Sequence, residues 1–201
     1  MRIGVLALQG DFAAHAARLS RLGAEPVEVR YARQLKEVEG LVLPGGESTT
    51  NLILLESEGL WDALQRFART RPVLGTCAGA ILLARKVSNP SQPSLGAVDI
   101  TIERNAYGRQ VDSSIRWVDP EPEFAARTAT GPLEAVFIRA PIIRATGPDV
   151  DVLLRDGADP ILVEQGPHLA ATFHAELTGD TRLHELFLEK VRSNRAAGGD
   201  C

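Results

Sequence analysis

Val73-Leu74-Gly75-Thr76-Cys77-Ala78-Gly79-Ala80-Ile81-Leu82-Leu83 is an apolar run that meets a turn of small residues and resumes as an apolar, helix-like segment. A buried strand that hands over to a helix through a tight turn has this form, and α/β folds present nucleophiles on such elbows. Glycines two residues before and after the nucleophile avoid clashes that a side chain would make, and Gly75 and Gly79 stand at those positions. The helix that follows points unpaired N–H groups and its positive dipole end at the sulfur, which favours thiolate and can hold an oxyanion. Read alone, the same residues also fit a buried cysteine that packs as a small hydrophobe in a strand-to-helix connection.

Outward from the elbow, strands alternate with helices, which predicts an α/β fold with a parallel sheet covered on both faces. Arg2 to Leu8 reads as the first strand, Phe12 to Leu22 as a helix, and Glu25 to Arg30 as a second strand after the turn at Gly23. Leu41-Val42-Leu43 is the third strand. It runs into Pro44-Gly45-Gly46-Glu47-Ser48-Thr49-Thr50, then helical stretches to Thr70, then the strand that enters the elbow. After Ala84 the pattern changes. Pro90 and Pro93 break the chain, and short strand-like runs follow through Thr101, Ile115, Phe137 and Ile143, so the second half is β-rich. Leu153 to Phe173 predicts a hairpin closed near Gln165-Gly166-Pro167, before a terminal helix. The expectation is one domain over residues 1–195, with a disordered tail over 196–201.

A base for Cys77 is found near the far end of the chain. Leu169-Ala170-Ala171-Thr172-Phe173-His174-Ala175-Glu176 reads as a strand ending in His-x-Glu, whose two polar side chains share a face. Glu176 would accept the Nδ1 proton of His174 and leave Nε2 to take a proton from Cys77. His168 has the same strand parity but lies roughly 20 Å from His174 on an unbroken strand, at about 3.3 Å per residue. Ligands of open parallel sheets bind beyond the carboxyl ends of the strands, where Cys77 and His174 fall and His168 does not, so His168 is read as structural. His184 lies on the amphipathic segment Leu183-His184-Glu185-Leu186-Phe187-Leu188-Glu189-Lys190-Val191 and is expected on its solvated side. His15, beside a run of alanines and with only Asp11 as a nearby carboxylate, is expected at the surface or an interface.

Composition narrows the function classes. The chain has 201 residues, 44% of them hydrophobic, and a formal net charge of −4, enough to bury a substantial core and no electrostatic case for nucleic acid. Its two cysteines, one of them Cys201 in a polar Gly198-Gly199-Asp200 tail, make no disulfide framework and suit a reducing, cytoplasmic compartment. The N-terminal apolar run lacks a small-residue cleavage site and reads as a buried strand, and no segment is long enough to span a membrane.

Other stretches carry recognition chemistry. After a buried strand, Pro44-Gly45-Gly46 lets backbone amides approach a ligand, as an oxyanion donor would; the alternative is a plain turn with Ser48 capping the next helix. Glu103-Arg104-Asn105-Ala106-Tyr107-Gly108-Arg109-Gln110 reads as a polar hairpin tip or as a guanidinium site for a carboxylate. Arg139, in Phe137-Ile138-Arg139-Ala140-Pro141, puts a charge at the end of an apolar strand and points to anion recognition.

Together, Leu8-Gln9-Gly10, Pro44-Gly45-Gly46-Glu47-Ser48-Thr49-Thr50, Gly75-Thr76-Cys77-Ala78-Gly79, Arg104-Asn105-Ala106-Tyr107-Gly108-Arg109-Gln110, Phe137-Ile138-Arg139-Ala140-Pro141 and Phe173-His174-Ala175-Glu176-Leu177 resemble the glutaminase subunits of pyridoxal phosphate synthase, over nearly the whole chain. Gly-x-Cys-x-Gly with His-x-Glu fits the class I glutamine amidotransferases in general, whereas the Pro-Gly-Gly-Glu-Ser-Thr-Thr and Arg-Asn-x-Tyr-Gly-Arg-Gln runs are much narrower. The resemblance implies a flavodoxin-like three-layer sandwich and hydrolysis of L-glutamine to glutamate and ammonia, with no cofactor and no metal. The ammonia would pass to a TIM-barrel synthase oligomer that builds pyridoxal 5'-phosphate from a pentose phosphate and a triose phosphate. By motif position Cys77 is the nucleophile, His174 the base and Glu176 the orienting acid. Gly46, Glu47, Ser48, Arg104, Ile138 and Arg139 match glutamine contacts, amides near Gly46 and Ala78 the oxyanion hole, and Gln9 and Gly10 a loop that couples activity to assembly.

The chain departs from the family pattern in places. Ala175 replaces the proline common in His-Pro-Glu, Ala14 stands where a glutamate commonly precedes the helix histidine, and Ser114-Ile115 replaces a usual Phe-Glu pair after Asp112-Ser113. The last two bear on docking more than on the reaction. Two other readings compete. Another cysteine hydrolase, a peptidase or amidase, would share the elbow but has no use for carboxylate contacts from Arg104 and Arg139. A noncatalytic scaffold would have no use for an intact Cys77, His174 and Glu176.

Overall fold

The computed structural model describes residues 1–105 and 113–198. In chain order they form β1 (Arg2–Leu6), α1 (Phe12–Arg21), β2 (Glu25–Val29), β3 (Gly40–Leu43), α2 (Ser48–Ser57), α3 (Trp61–Ala68), β4 (Val73–Thr76), α4 (Ala78–Leu83), β5 (Ala84–Ser88), β6 (Val98–Glu103), β7 (Ser113–Val118), α5 (Pro122–Arg127), β8 (Leu133–Ile138), β9 (Ile142–Thr146), β10 (Asp151–Asp156), β11 (Asp159–Gln165), β12 (His168–Ala171) and α6 (Arg182–Gly198). Short 3-10 turns cover Ala32–Glu37 and Ala175–Leu177.

Seven strands make the central sheet, in the order β10-β11-β12-β4-β3-β1-β2. From β12 to β2 every pairing is parallel, and β11 runs antiparallel to both β12 and β10. The predicted hairpin is β11–β12, turning at Gly166 and Pro167. Because alternate strand residues point to opposite faces, Leu41 and Leu43 of β3 enter one core and Val42 the other. The first core is completed by α2, α3, α4 and the small sheet β5-β6-β9; the second by α1, α5, α6 and the hairpin β7–β8. That is the predicted α/β sandwich of three layers with a β-rich second half.

Registers bring the strand ends that matter together. Leu43 pairs with Gly75 and Ala171 with Thr76, so the segments that leave β3, β4 and β12 emerge side by side at the carboxyl edge of the sheet. Three boundaries differ from expectation. β1 stops at Leu6, and α6 runs on past Arg195 to Gly198, with residues 199–201 outside the described residues. β12 ends at Ala171, so His174 and Glu176 sit on a turn rather than a strand, because the chain leaves the sheet there: the His174 amide donates to Val136 O of β8 at 2.8 Å. Among the described residues, no helix is long and apolar enough to cross a membrane.

Candidate active site

Cys77 joins β4 to α4 with φ 47° and ψ −104°, a left-handed conformation that costs about 1–3 kcal/mol and has to be held by its surroundings. Its amide donates to Ala171 O at 2.8 Å and its carbonyl accepts from the Ile81 amide at 3.2 Å, which fixes the turn at both ends. The flanking glycines are steric necessities. A Cβ at Gly79 would stand 1.9 Å from Leu43 O, and one at Gly75 would stand 2.5 Å from the Gly79 carbonyl. The elbow can therefore press its helix onto β3 only without side chains at these two positions.

His174 faces the sulfur. It is 4% exposed and lines the same cleft as Cys77, and its Nδ1 lies 2.7 Å from Glu176 Oε1. Burial pushes the imidazole pKa down. Hydrogen bonds to Cys77 and Glu176, and the negative charge both can carry, outweigh burial and raise it to about 10. The ring thus keeps a proton at neutral pH and offers a cation to the sulfur. Glu176 is buried on the same turn. Two residues of spacing suffice to make the pair on a 3-10 turn as they would on a strand.

These groups open into a cleft of about 240 Å³ whose lining includes Gly46, Glu47, Ser48, Arg104, Ile138 and Arg139, the six residues expected to contact glutamine, whereas Ala78 of the expected oxyanion pair is buried at the start of α4. Of the four described non-glycine residues with left-handed φ, three line this cleft: Cys77, Asn105 and Arg139. Arg104, 8% exposed, reaches Thr49 Oγ1 at 2.8 Å and Glu47 Oε1 at 3.4 Å. Glu47 also caps α2, accepting from Thr50 N at 2.7 Å and Thr50 Oγ1 at 3.0 Å, so the cap is Glu47 and not Ser48. Partial burial opposes ionisation of Glu47, and hydrogen bonds from Thr50 and Thr49 overcome it, so its pKa is lowered. Ser48 Oγ instead donates to Gln92 Oε1 at 3.1 Å. An acid, a guanidinium and a sulfur lining one cleft suit a zwitterionic amino acid whose side chain reaches Cys77.

The loop after β1 borders the same cleft. Gln9 Nε2 donates to Glu47 O at 2.9 Å and its Oε1 accepts from Glu47 N at 3.4 Å, so one side-chain amide holds the Gly46–Glu47 backbone from both directions. Gly10, with φ 84°, sits so close to Gly45 that a Cβ would stand 1.9 Å from its carbonyl oxygen. Asp11 also lines the cleft and places a carboxylate oxygen within 4.8 Å of ligand atoms on His174 and Glu176. β7, paired with the strand whose Ile138 lines the cleft, exposes Ile115 at 63% and Trp117 at 69%. Ala106 to Asp112, which include Tyr107, Arg109 and Gln110 of the expected hairpin tip, lie outside the described residues.

Two histidines are not where the sequence suggested. His15 is fully buried, not at the surface, and His184 is fully buried, not solvated. His15 Nε2 lies 3.1 Å from Thr76 Oγ1 and 3.3 Å from Glu176 Oε2, and its Nδ1 lies 3.0 Å from His184 Nε2. A signal for His15 was present: Phe12, His15, Ala16, Leu19 and Leu22 recur at the spacing of one helix face, and that face packs on the sheet. For His184 the apolar stripe misleads, because the first half of α6 is buried round most of its circumference, by polar contacts as well. Arg182 donates to the carbonyls of Ala129, Gly131 and Pro132, and Lys190 to that of Gly166. His168 is buried away from the cleft with its pKa lowered to about 4, chiefly by burial, as suits a structural residue.

Known proteins share this architecture and this sequence. The model of the SNO glutamine amidotransferase family matches residues 5–193. The pyridoxal 5'-phosphate synthase subunit PdxT of Solibacter usitatus is 61% identical over 190 residues, covering 94% of this chain and 99% of that one. The PdxT subunit of Thermotoga maritima is 48% identical, covering 96% of this chain and all of the other. A crystal structure of a glutamine amidotransferase superposes with a TM-score of 0.85 at 45% identity, covering 94% of this chain and 98% of that one. PurLQS from Thermotoga maritima, at 18% identity and a TM-score of 0.67 over 94% of this chain and 97% of that one, shares the fold. Elbow, buried His-Glu pair and near-full-length identity lead to one conclusion: the chain belongs to the SNO glutamine amidotransferase family.

Proposed function

We propose that the chain is the glutaminase subunit of a pyridoxal 5'-phosphate synthase, a single domain over residues 1–195 that hydrolyses L-glutamine in the cytoplasm and hands ammonia to a synthase subunit. The observation that carries this reading is a strained Cys77 beside a proton-holding His174 in a cleft that Arg104 and Glu47 also line. The relatives' shared name supports the pathway.

In the proposed reaction Arg104 takes the substrate carboxylate and Glu47 its ammonium, with Ser48, Ile138 and Arg139 shaping the pocket between them. The Cys77 sulfur attacks the carboxamide carbon, and amides of Gly46 and Ala78 stabilise the oxyanion. His174 protonates the departing nitrogen, leaving a glutamyl thioester and ammonia. It then takes a proton from water, whose oxygen attacks the thioester; glutamate leaves and Cys77 regains its starting form. Glu176 keeps the imidazole oriented with Nε2 toward the sulfur.

Gln9 and Gly10 are assigned the coupling role. Their grip on the Gly46–Glu47 backbone means that a partner pressing on the β1 loop alters the oxyanion donor. The partner proposed is the TIM-barrel synthase oligomer, and glutaminase activity of the chain alone is expected to be weak. The test is glutamate release from L-glutamine by wild type and Cys77→Ala, each with and without the synthase subunit. Release by wild type alone, rising with the subunit and absent in the variant, is the expected result. No release beside a verified active subunit overturns the proposal.

A further inference from the structure

Glu176 has two oxygens, and the proposed reaction accounts for one. Oε1 holds His174, whereas Oε2 is buried and makes no hydrogen bond of good geometry. A bare carboxylate oxygen at 0% side-chain exposure is costly, so the group that faces it matters. That group is His15 Nε2, 3.3 Å away on α1, the same atom that lies 3.1 Å from Thr76 Oγ1.

The tautomers follow from the pairings. If His15 Nε2 carried no proton, its lone pair would face the carboxylate in a dry interior, so Nε2 is the N–H, bonded to Thr76 Oγ1 with Glu176 Oε2 3.3 Å away. Nδ1 of His15 is then an acceptor, and His184 Nε2–H donates to it at 3.0 Å. The series ends at His184 Nδ1, which is buried without a partner and on this assignment is a bare nitrogen, not a stranded N–H. Every donor in the series therefore points toward Glu176. Both rings stay neutral, since burial above all, then the neighbouring charges of His184 and His174, keeps His15 well below the usual imidazole range, and burial then Arg18 lowers His184 to about 4.

We propose that His15, aligned by His184, is a positioning residue of the glutaminase: a neutral N–H group beside Glu176 Oε2 that keeps the carboxylate turned toward His174. Neutrality is the useful property. A lysine or arginine there would satisfy the oxygen but would also cancel the charge that supports the imidazolium of His174. The charged or titratable groups around the pair are His174 and Glu176 on the turn, Asp180 before α6, and Arg18 on α1, whose Nε donates to Glu176 O at 3.3 Å; Asp11 lies on the cleft side of His174. None of these offers Oε2 a hydrogen bond, so His15 is the donor positioned to do so.

The inference rests on the glutaminase reading, and its test has a readout that does not. Full-length chains in a Cys201→Ser background, so that one thiol reacts, are compared as wild type, His15→Leu and His15→Gln, the last keeping an N–H near the Nε2 position. With the synthase subunit present, His15→Leu is expected to lower kcat about 10- to 100-fold with KM little changed, as loss of an outer partner of a functional histidine does. Without that N–H the carboxylate is free to turn away from His174 and supports the imidazolium less. The midpoint of iodoacetamide alkylation of Cys77 should therefore rise by about one pH unit. His15→Gln should restore both.

A His15→Leu alkylation profile that superimposes on wild type, or a His15→Gln no better than His15→Leu, overturns the positioning role. If His15→Leu does not fold, the decision passes to His184→Leu, which frees Nδ1 of His15. A smaller shift in the same direction, reversed by His184→Gln, supports the proposal, and none refutes it. A wild type that releases no glutamate beside an active subunit sinks the glutaminase reading instead, while the alkylation profiles still decide the role of His15.

Discussion

At the scale of single residues, four buried histidines divide into two electrostatic classes. His174 is raised to about 10, whereas His168 and His184 are lowered to about 4 and His15 is lowered well below its usual value. Linkage then fixes the form of the stability profile. A raised pKa gives stability that is complete below the unfolded value of 6.5 and is lost as pH rises from there through about 10. A lowered histidine pKa gives stability that is complete above 6.5 and is lost as pH falls toward about 4, because the unfolded chain takes up protons that the native core refuses. The histidine contribution to a urea-midpoint profile is therefore expected to peak near neutrality, with a steeper acid arm at up to about 1.4 kcal/mol per proton per pH unit. Cys77→Ala, which removes the first of the groups that hold the His174 proton, should flatten the alkaline arm and leave the acid arm alone; an unchanged alkaline arm counts against the pairing. Of these residues the sequence disclosed Cys77, His174 and Glu176, because their chemistry is carried by local spacing. It concealed His15 and His184, which meet across 169 positions and gain meaning only when α1 and α6 pack on one face of the sheet.

At the scale of elements, the elbow is a contact between a strand, a turn and a helix with no room for a methyl group. Gly79→Ala would put a Cβ 1.9 Å from Leu43 O, backbone that cannot swing aside as a side chain would. The variant should lose about 3 kcal/mol or more of stability, since the β3–α4 approach must open, and its activity should fall with it. Urea unfolding measures this, and a loss under about 1 kcal/mol would mean that α4 is held less tightly than the geometry requires. Strands with apolar runs and glycine or proline ends were legible to within a residue or two: β2, β3 and β4 lie where the pattern put them. What periodicity missed was the end of β12. Thr172 and Phe173 are as buried as strand residues, and Thr172 N still donates to Ile161 O in the β11 register, but the His174 amide turns to Val136 O, so the chain leaves the sheet under cover of the β7–β8 hairpin. No local pattern distinguishes a buried strand from a buried crossing.

At the scale of the molecule, two cores on either side of one sheet carry separate duties. The core under α2, α3 and α4 supports the elbow helix and the Glu47 cap, and that under α1, α5 and α6 encloses the Glu176 side of the site. The cleft sits at the carboxyl edge where the two meet, and the β7–β8 hairpin, whose Ile138 lines it, turns Ile115 and Trp117 outward. That exposure makes the chain its own optical gauge. Only two tryptophans occur in the sequence, and Trp61 is half-buried against the α2–α4 core, so in a Trp61→Phe variant the emission comes from the indole on β7 alone. A synthase subunit settling over that strand would take the indole out of water and move its emission to shorter wavelength as subunit is added, at the stoichiometry of assembly and without any attached dye. An emission maximum that stays fixed through saturation, once the subunit's own signal is subtracted, would put the docking face elsewhere on the molecule.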